Sequence, residues 1–200
     1  MEISCIVLAG GKSLRLGHDK VLEIIDNKSL LQQVLSRVSP FSSDIIIVTA
    51  KERSAPQFTS YPKLRITADT YPGKGPLGGI YTGLVASVSF CNLVVACDMP
   101  FLNQALLRYM IELSADFDLV VPRVNNLSEP LHAVYSKSCL APMEDMIKQD
   151  KLSILKLFKL VKVRYVETEE IDRFDPNHLS FFNINTKADL EKARNLAKWM

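Results

Sequence analysis

No apolar run in the sequence approaches the ~18–20 uninterrupted residues that a membrane helix needs, so no membrane association is expected. A basic excess is also missing: 24 Lys and Arg stand against 22 Asp and Glu, a net charge of +2. Chains that grip a nucleic-acid backbone usually carry a larger one, which argues against nucleic acid as a partner. Cys5, Cys91, Cys97 and Cys139 form no CxxC pair. Three of them sit in apolar runs, where cysteine behaves as a small hydrophobe. Buried reduced thiols are therefore expected rather than a metal or disulfide framework, and with them a cytoplasmic location. The opening Met-Glu-Ile-Ser-Cys-Ile-Val-Leu-Ala lacks a basic n-region and predicts a strand rather than a secretion signal. His18, His132 and His178 are scattered without an i+4 partner, and no GxSxG elbow occurs. Zinc chemistry and serine hydrolysis find no support. Internal repeats, low-complexity tracts and flexible linkers are absent as well.

What is present suits a soluble globular chain: 200 residues, 48% hydrophobic and 23% charged, with a mean hydropathy of +0.09. The length and continuity predict one domain over residues 1–200. Short runs rich in β-branched residues at 3–8, 44–48, 64–67, 93–96 and 119–121 read as strands buried on both faces, the parallel-sheet pattern. Helical patterns lie between them. Over 29–38, Leu30, Leu31, Val34, Leu35 and Val38 share a stripe, with Ser29 as N-cap and Pro40 past the end. Residues 103–113 repeat the pattern with Leu106, Leu107, Met110 and Ile111. The second half is less regular: strands at 132–135 and 163–166, helices at 140–147 and 154–160. A charged helix over 186–198 opens with Thr-Lys-Ala-Asp, a loose capping box. Alternating strands and helices predict an α/β fold with right-handed crossovers and a mostly parallel central sheet flanked by helices.

The strongest chemical signal is Leu8-Ala9-Gly10-Gly11-Lys12-Ser13-Leu14-Arg15-Leu16-Gly17-His18-Asp19-Lys20. It follows the first strand directly, at the carboxyl edge where open α/β sheets bind ligands. Adjacent glycines let backbone approach a phosphate without an intervening Cβ, and successive N–H groups can form an anion nest. Arg15 and Lys20 supply charge to neutralise a triphosphate. A Walker A loop would need glycine where Ile6 stands, and no GxGxxG triplet is present.

Asp98, in Asp98-Met99-Pro100, ends the run 92–97 and aims a carboxylate from the sheet edge toward the same crevice. Mg²⁺ takes one or two protein carboxylates plus phosphate oxygens, so Asp98 is the candidate metal ligand. Its competing role is a helix N-cap, with Asn103 too late in the chain to contest it. A third segment, Gly73-Lys74-Gly75-Pro76-Leu77-Gly78-Gly79-Ile80, predicts a turn before an apolar helix over 81–88.

These segments together resemble the molybdenum cofactor guanylyltransferase family, the MobA-like nucleotidyltransferases. The first loop is similar to its LAGGxSxRxGxDK signature, and Pro76-Leu77-Gly78-Gly79 to its GPLAG-type motif, with Gly78 where alanine is usual. The related cytidylyltransferases show LAAG in the first loop instead. The resemblance implies a Rossmann-like nucleotidyltransferase fold whose N-terminal half binds nucleotide and whose C-terminal half binds an acceptor. It implies transfer of GMP from GTP to molybdopterin carrying molybdenum, with release of pyrophosphate and Mg²⁺ as cofactor. Leu8, Ala9, Gly10, Gly11, Lys20, Asp69, Pro76, Leu77, Gly78 and Asp98 would contact the nucleotide, and Arg15, Lys20 and Asp98 would carry catalysis. Two weaker likenesses suggest acceptor contacts: His132 in Glu129-Pro130-Leu131-His132, and Asn183 and Asn185 in Asn183-Ile184-Asn185-Thr186. The two asparagines alternate on an expected short strand; alternatively Asn185 ends that strand and Thr186 caps a helix. Cofactor-delivery proteins or molybdoenzyme chaperones are conceivable partners. A nucleotidyltransferase for a cytidylyl or sugar-phosphate acceptor, or a non-catalytic nucleotide-binding accessory module, stands as the alternative.

Overall fold

A computed structural model of the protein describes residues 3–10, 23–42, 44–50, 61 and 64–198. In chain order the elements are β1 (Ile3–Leu8), β2 (Ile24–Ile25), β3 (Lys28–Ser29), α1 (Leu30–Val38), β4 (Ile45–Thr49), β5 (Leu64–Ala68), α2 (Gly75–Ala86) and β6 (Cys91–Ala96). The second half contributes α3 (Gln104–Leu113), β7 (Leu119–Val124), β8 (Leu127–Ser128), β9 (His132–Ser136), α4 (Leu140–Lys148), α5 (Ile154–Leu157), β10 (Val163–Glu167), α6 (Thr168–Ile171) and α7 (Lys187–Ala197).

The main sheet runs β10-β7-β9-β6-β1-β4-β5, with β8 paired to β7. Pairings β6–β1, β1–β4, β4–β5 and β7–β10 are parallel, and β9 enters antiparallel between β6 and β7. Register is direct along the centre: Leu8 stands opposite both Val48 and Ala96.

Alternation along β1 sorts the core into two layers. Cys5 and Val7 pack with Leu31, Val34 and Leu35 of α1 and Leu106, Leu107 and Met110 of α3. Ile6, between them, faces Leu77, Ile80 and Leu84 of α2 and Met143 of α4. This is the period-2 consequence of a strand covered on both faces. Each fully buried Leu, Ile or Val contributes up to roughly 1.5–3 kcal/mol. A third cluster, with Ile25, Leu30, Phe101, Ile184, Leu190 and Ala193, docks α7 against the β2–β3 hairpin.

Helix starts follow the capping chemistry of the sequence. Ser29 caps α1 and forms a capping box with Gln32, and Thr186 does the same for α7 with Asp189. Three boundaries differ from expectation. The Gly-Pro segment is not a turn ahead of a helix at 81: α2 already begins at Gly75, with proline in its first turn. Proline lacks only an N–H that the first turn leaves unbonded anyway, and its fixed φ suits a helix start. The expected helix over 154–160 closes after Leu157, and the next three residues are turn. No strand contains Asn183 and Asn185; residues 182–185 carry neither helix nor strand, and their backbone bonds go to a loop and a side chain instead.

Candidate active site

Parallel pairing carries three loops to one edge of the sheet. Beyond the last strand residues the hydrogen-bond pattern continues: Ala9 N donates to Val48 O at 2.8 Å, Cys97 N to Leu8 O at 3.1 Å, and Asp69 N to Thr49 O at 2.8 Å. The starts of the loops after β1, β5 and β6 are thereby fixed side by side, and Leu8, Ala9, Gly10, Asp69 and Asp98 share the carboxyl edge. This is where ligands bind in open α/β sheets. Gly11, Arg15 and Lys20 lie outside the described residues.

Asp69 is half-buried and held in place. Its Oδ1 accepts from Tyr71 N at 2.9 Å and from the Thr82 hydroxyl at 3.1 Å. Pro76, Leu77 and Gly78 belong to the first turn of α2. That turn abuts the end of β1: a Cβ at Gly79 would touch Leu8 Cδ2 at 3.4 Å. A Cβ at Gly78 would come within 3.0 Å of Tyr71 O. The glycine that replaces the family's usual alanine thus lets the Tyr71 turn sit close against the helix start.

Asp98 follows β6, and its Oδ1 is shielded from solvent. It is not the helix cap. Asn103 performs that role for α3, its side chain accepting from Ala105 N and Leu106 N at 2.9 and 3.0 Å. The Asp98 carbonyl accepts from Ile184 N at 3.1 Å, which brings residues 182–185 to the loop after β6. Asn183 is half-buried and its amide donates to Phe181 O at 3.1 Å, whereas Asn185 is exposed.

His132 departs furthest from expectation. It stands opposite Val95 in β9, and none of its surface is accessible. Its ring lies 5.1 Å from that of Phe181, and among the described residues neither ring nitrogen makes a hydrogen bond of good geometry. Burial pushes its pKa down to about 4, against the opposing pull of the Ser180 backbone and the Asp175 charge. Enclosed in the core, His132 presents no accessible surface to an acceptor in this structure, unlike the contact that the resemblance implied. The cause is β9's antiparallel insertion, which covers His132 with the segment around Phe181.

Sequence reasoning missed the groups that support these loops. Asp175 is 6% exposed, and its carboxylate accepts from Leu179 N and Ser180 N at 3.1 and 2.7 Å. The Ser180 hydroxyl accepts from Asn103 N at 2.9 Å, and the Asn103 amide donates to Phe174 O at 2.8 Å. Thr82 was hidden inside an apolar helix. No motif spacing points to it or to Asp175: Thr82 acts through residues twelve and thirteen positions away, and Asp175 through backbone amides four and five positions on, which any residues supply. Among the described residues, no helix is long and apolar enough to cross a membrane.

The MobA-like NTP transferase domain model matches residues 5–164. A probable molybdenum cofactor guanylyltransferase from Pelotomaculum thermopropionicum is 35% identical over 198 residues, covering 99% of this chain and 95% of that one. Molybdopterin-guanine dinucleotide biosynthesis protein A from Archaeoglobus fulgidus superposes with a TM-score of 0.84 at 31% identity, covering 98% of this chain and 100% of the other. The 2-C-methyl-D-erythritol 4-phosphate cytidylyltransferase from Thermus thermophilus shares the fold, with a TM-score of 0.73 at 16% identity over 99% and 100% of the two chains.

Proposed function

The chain belongs to the MobA-like NTP transferase family of nucleotidyltransferases, and from that premise we propose that it transfers GMP from GTP to molybdopterin carrying molybdenum. The products are the guanine dinucleotide form of the cofactor and pyrophosphate. The observation that carries this reading is the pair of backbone bonds, Cys97 N to Leu8 O and Ile184 N to Asp98 O. Together they join the end of β1, the Asp98 loop and the 182–185 segment around one edge. A triphosphate and a second, phosphate-bearing substrate can meet there.

In this reading a phosphate oxygen of the pterin attacks the α-phosphorus of GTP in line; the new O–P bond forms as the bond to pyrophosphate breaks. The attacking group is already anionic, so no side chain must become a covalent nucleophile. Positioning and charge neutralisation carry the reaction. Leu8 to Gly11 would cradle the nucleotide with backbone amides, Arg15 and Lys20 would offset triphosphate charge, and Asp69 and the first turn of α2 would face the nucleoside. Asn183 and Asn185 would flank the acceptor.

Asp98 suits Mg²⁺. It offers a hard carboxylate at the edge, the ligand type that Mg²⁺ takes alongside substrate phosphate oxygens. Bound there, the ion would neutralise charge on the transferring phosphate. The reading extends to one domain over residues 1–200, nucleotide half before acceptor half, in the cytoplasm, with delivery proteins or molybdoenzyme chaperones as further partners.

Pyrophosphate release measured with GTP, Mg²⁺ and molybdenum-loaded molybdopterin tests the proposal. Release that requires all three is expected. Release with a sugar phosphate in place of the pterin would redirect the acceptor assignment, and GTP binding without release would mark an accessory module.

A further inference from the structure

Thr82 is 3% exposed within an otherwise apolar helix. Its hydroxyl makes three contacts: Asp69 Oδ1 at 3.1 Å, Thr70 N at 3.1 Å and Thr70 Oγ1 at 2.8 Å. A hydroxyl has one proton to donate and two lone pairs to accept with. The carboxylate can only accept and the Thr70 amide can only donate, so the assignment is forced. Thr82 donates to Asp69, and the Thr70 hydroxyl donates to Thr82. Tyr71 N supplies the second donor to Asp69 Oδ1 at 2.9 Å, and the Asp69 backbone is tied to Thr49. Both bonds to the Asp69 carboxylate, from Thr82 and from Tyr71 N, fall on Oδ1. Oδ2 has no hydrogen bond among the described residues.

We propose that Thr82 is a positioning residue for the nucleotide: its saturated hydroxyl locks the Asp69 carboxylate so that Oδ2 presents one fixed acceptor to N–H or O–H donors of the bound nucleoside. This rests on the assignment of the carboxyl edge as the nucleotide site. A buried threonine on α2 thereby links the helix whose first turn abuts Leu8 to the loop after β5. Oriented acceptors discriminate between ligands because the group they should meet, when missing, leaves them unpaired. The donors can come from the guanine edge or from the ribose hydroxyls, and analogues separate the two.

The experiment measures GTP affinity by calorimetric titration, alongside steady-state KM values for GTP and for the acceptor. Thr82→Val keeps the side-chain shape and removes the donor; Thr82→Ser retains it. Valine is expected to raise the Kd and KM for GTP about tenfold, within the effect of losing a hydrogen bond to a charged group. The acceptor KM should stay within twofold, and serine should remain close to the unmodified protein. In an Asp69→Asn background the valine change should add less than twofold, because its effect passes through the carboxylate. Should valine prevent folding, Thr82→Ala is read in the same way.

With the unmodified protein, inosine triphosphate binding weakly and 2′-deoxy-GTP normally would assign Oδ2 to the guanine edge; the reverse would assign it to the ribose. A GTP Kd unchanged by valine, or equal losses for GTP and acceptor, would overturn the positioning role. Tight GTP binding without any transfer would instead defeat the functional reading and leave this proposal standing on its Kd values.

Discussion

The Ile184 amide donates to the Asp98 carbonyl at 3.1 Å, and this bond joins the loop after β6 to the segment preceding the last helix. Asp98 lies near the middle of the chain and Ile184 near its end. Ile184 is itself wholly buried in the α7 cluster. Packing of that residue therefore sets where Asn183 and Asn185 can stand relative to Asp98.

Asp175 holds the same segment from its other end. Asp175→Ala removes the acceptor of two backbone amides, Leu179 N and Ser180 N. Unfolding free energy should fall by about 1–3 kcal/mol, the cost of stranding buried donors. Because the loosened segment carries the proposed acceptor contacts, the acceptor KM should rise more than the GTP KM. Denaturant unfolding and paired KM measurements check this; a larger effect on GTP would detach Asp175 from the acceptor side.

Asp98→Asn preserves shape while removing the charge proposed to hold Mg²⁺. The variant should melt near the unmodified protein, bind GTP weakly and lose guanylyl transfer by a factor on the order of 10²–10⁴. Raising Mg²⁺ should recover part of the loss. Turnover within a few-fold at every magnesium concentration would return Asp98 to a turn residue.

Base choice follows from the glycine loop and the first turn of α2. With Mg²⁺ present, GTP should raise the melting temperature more than CTP, ATP or UTP. Ligand at ~100 times its Kd stabilises by roughly 2.7 kcal/mol, which a thermal-shift assay resolves. Equal shifts with CTP would point to the cytidylyl branch.

Gly83 lies on the side of α2 that packs against β1. A Cβ there would fall 2.4 Å from Ile6 Cγ2, and Ile6 is fully buried. Overpacking should make Gly83→Ala less stable by about 1–3 kcal/mol, despite the ~1 kcal/mol that alanine gains over glycine in a helix. At Gly79 the same Cβ would meet Leu8 at an ordinary 3.4 Å, so Gly79→Ala should be neutral or stabilising. Chemical denaturation of both variants provides the contrast, and equal stabilities would refute it.

His132 predicts acid sensitivity. Its folded pKa of about 4 lies below the ~6.5 of an unfolded histidine, so the native state binds fewer protons between these values. The contribution is complete above pH ~6.5 and is lost as pH falls toward 4, a total of roughly 3 kcal/mol. His132→Leu removes this dependence. Its stability relative to the unmodified protein should improve by about that amount between pH 7.5 and pH 4. Parallel denaturation curves at both pH values, with a constant difference, would contradict the buried neutral assignment.

Much of the architecture was legible in the residues alone. Strands at 3–8 and 93–96 are β-branched runs too short for helices, and period-2 burial on both faces follows from such composition. The stripe of Leu30, Leu31, Val34, Leu35 and Val38, with Ser29 ahead of it, specifies an amphipathic capped helix by local geometry alone. The glycine loop and Asp98 were readable as neighbours because each directly follows a run that reads as a strand, and parallel strands deliver their ends to one edge; Asp69 was singled out only by the family resemblance. Tertiary structure decided the rest. His132 reads as a polar site residue until β9 inserts antiparallel between β6 and β7 and the Phe181 segment covers it. Asn183 and Asn185 look like alternating strand residues, but the Ile184 amide pairs with the Asp98 loop rather than with a neighbouring strand. Thr82 carries no local signal, since its hydrogen-bond partners come from the loop after β5; Asp175 binds nearby backbone amides, but its burial is decided by the fold. Periodicity and capping are short-range properties that a sequence states directly, whereas burial of a polar group depends on which distant segments close over it.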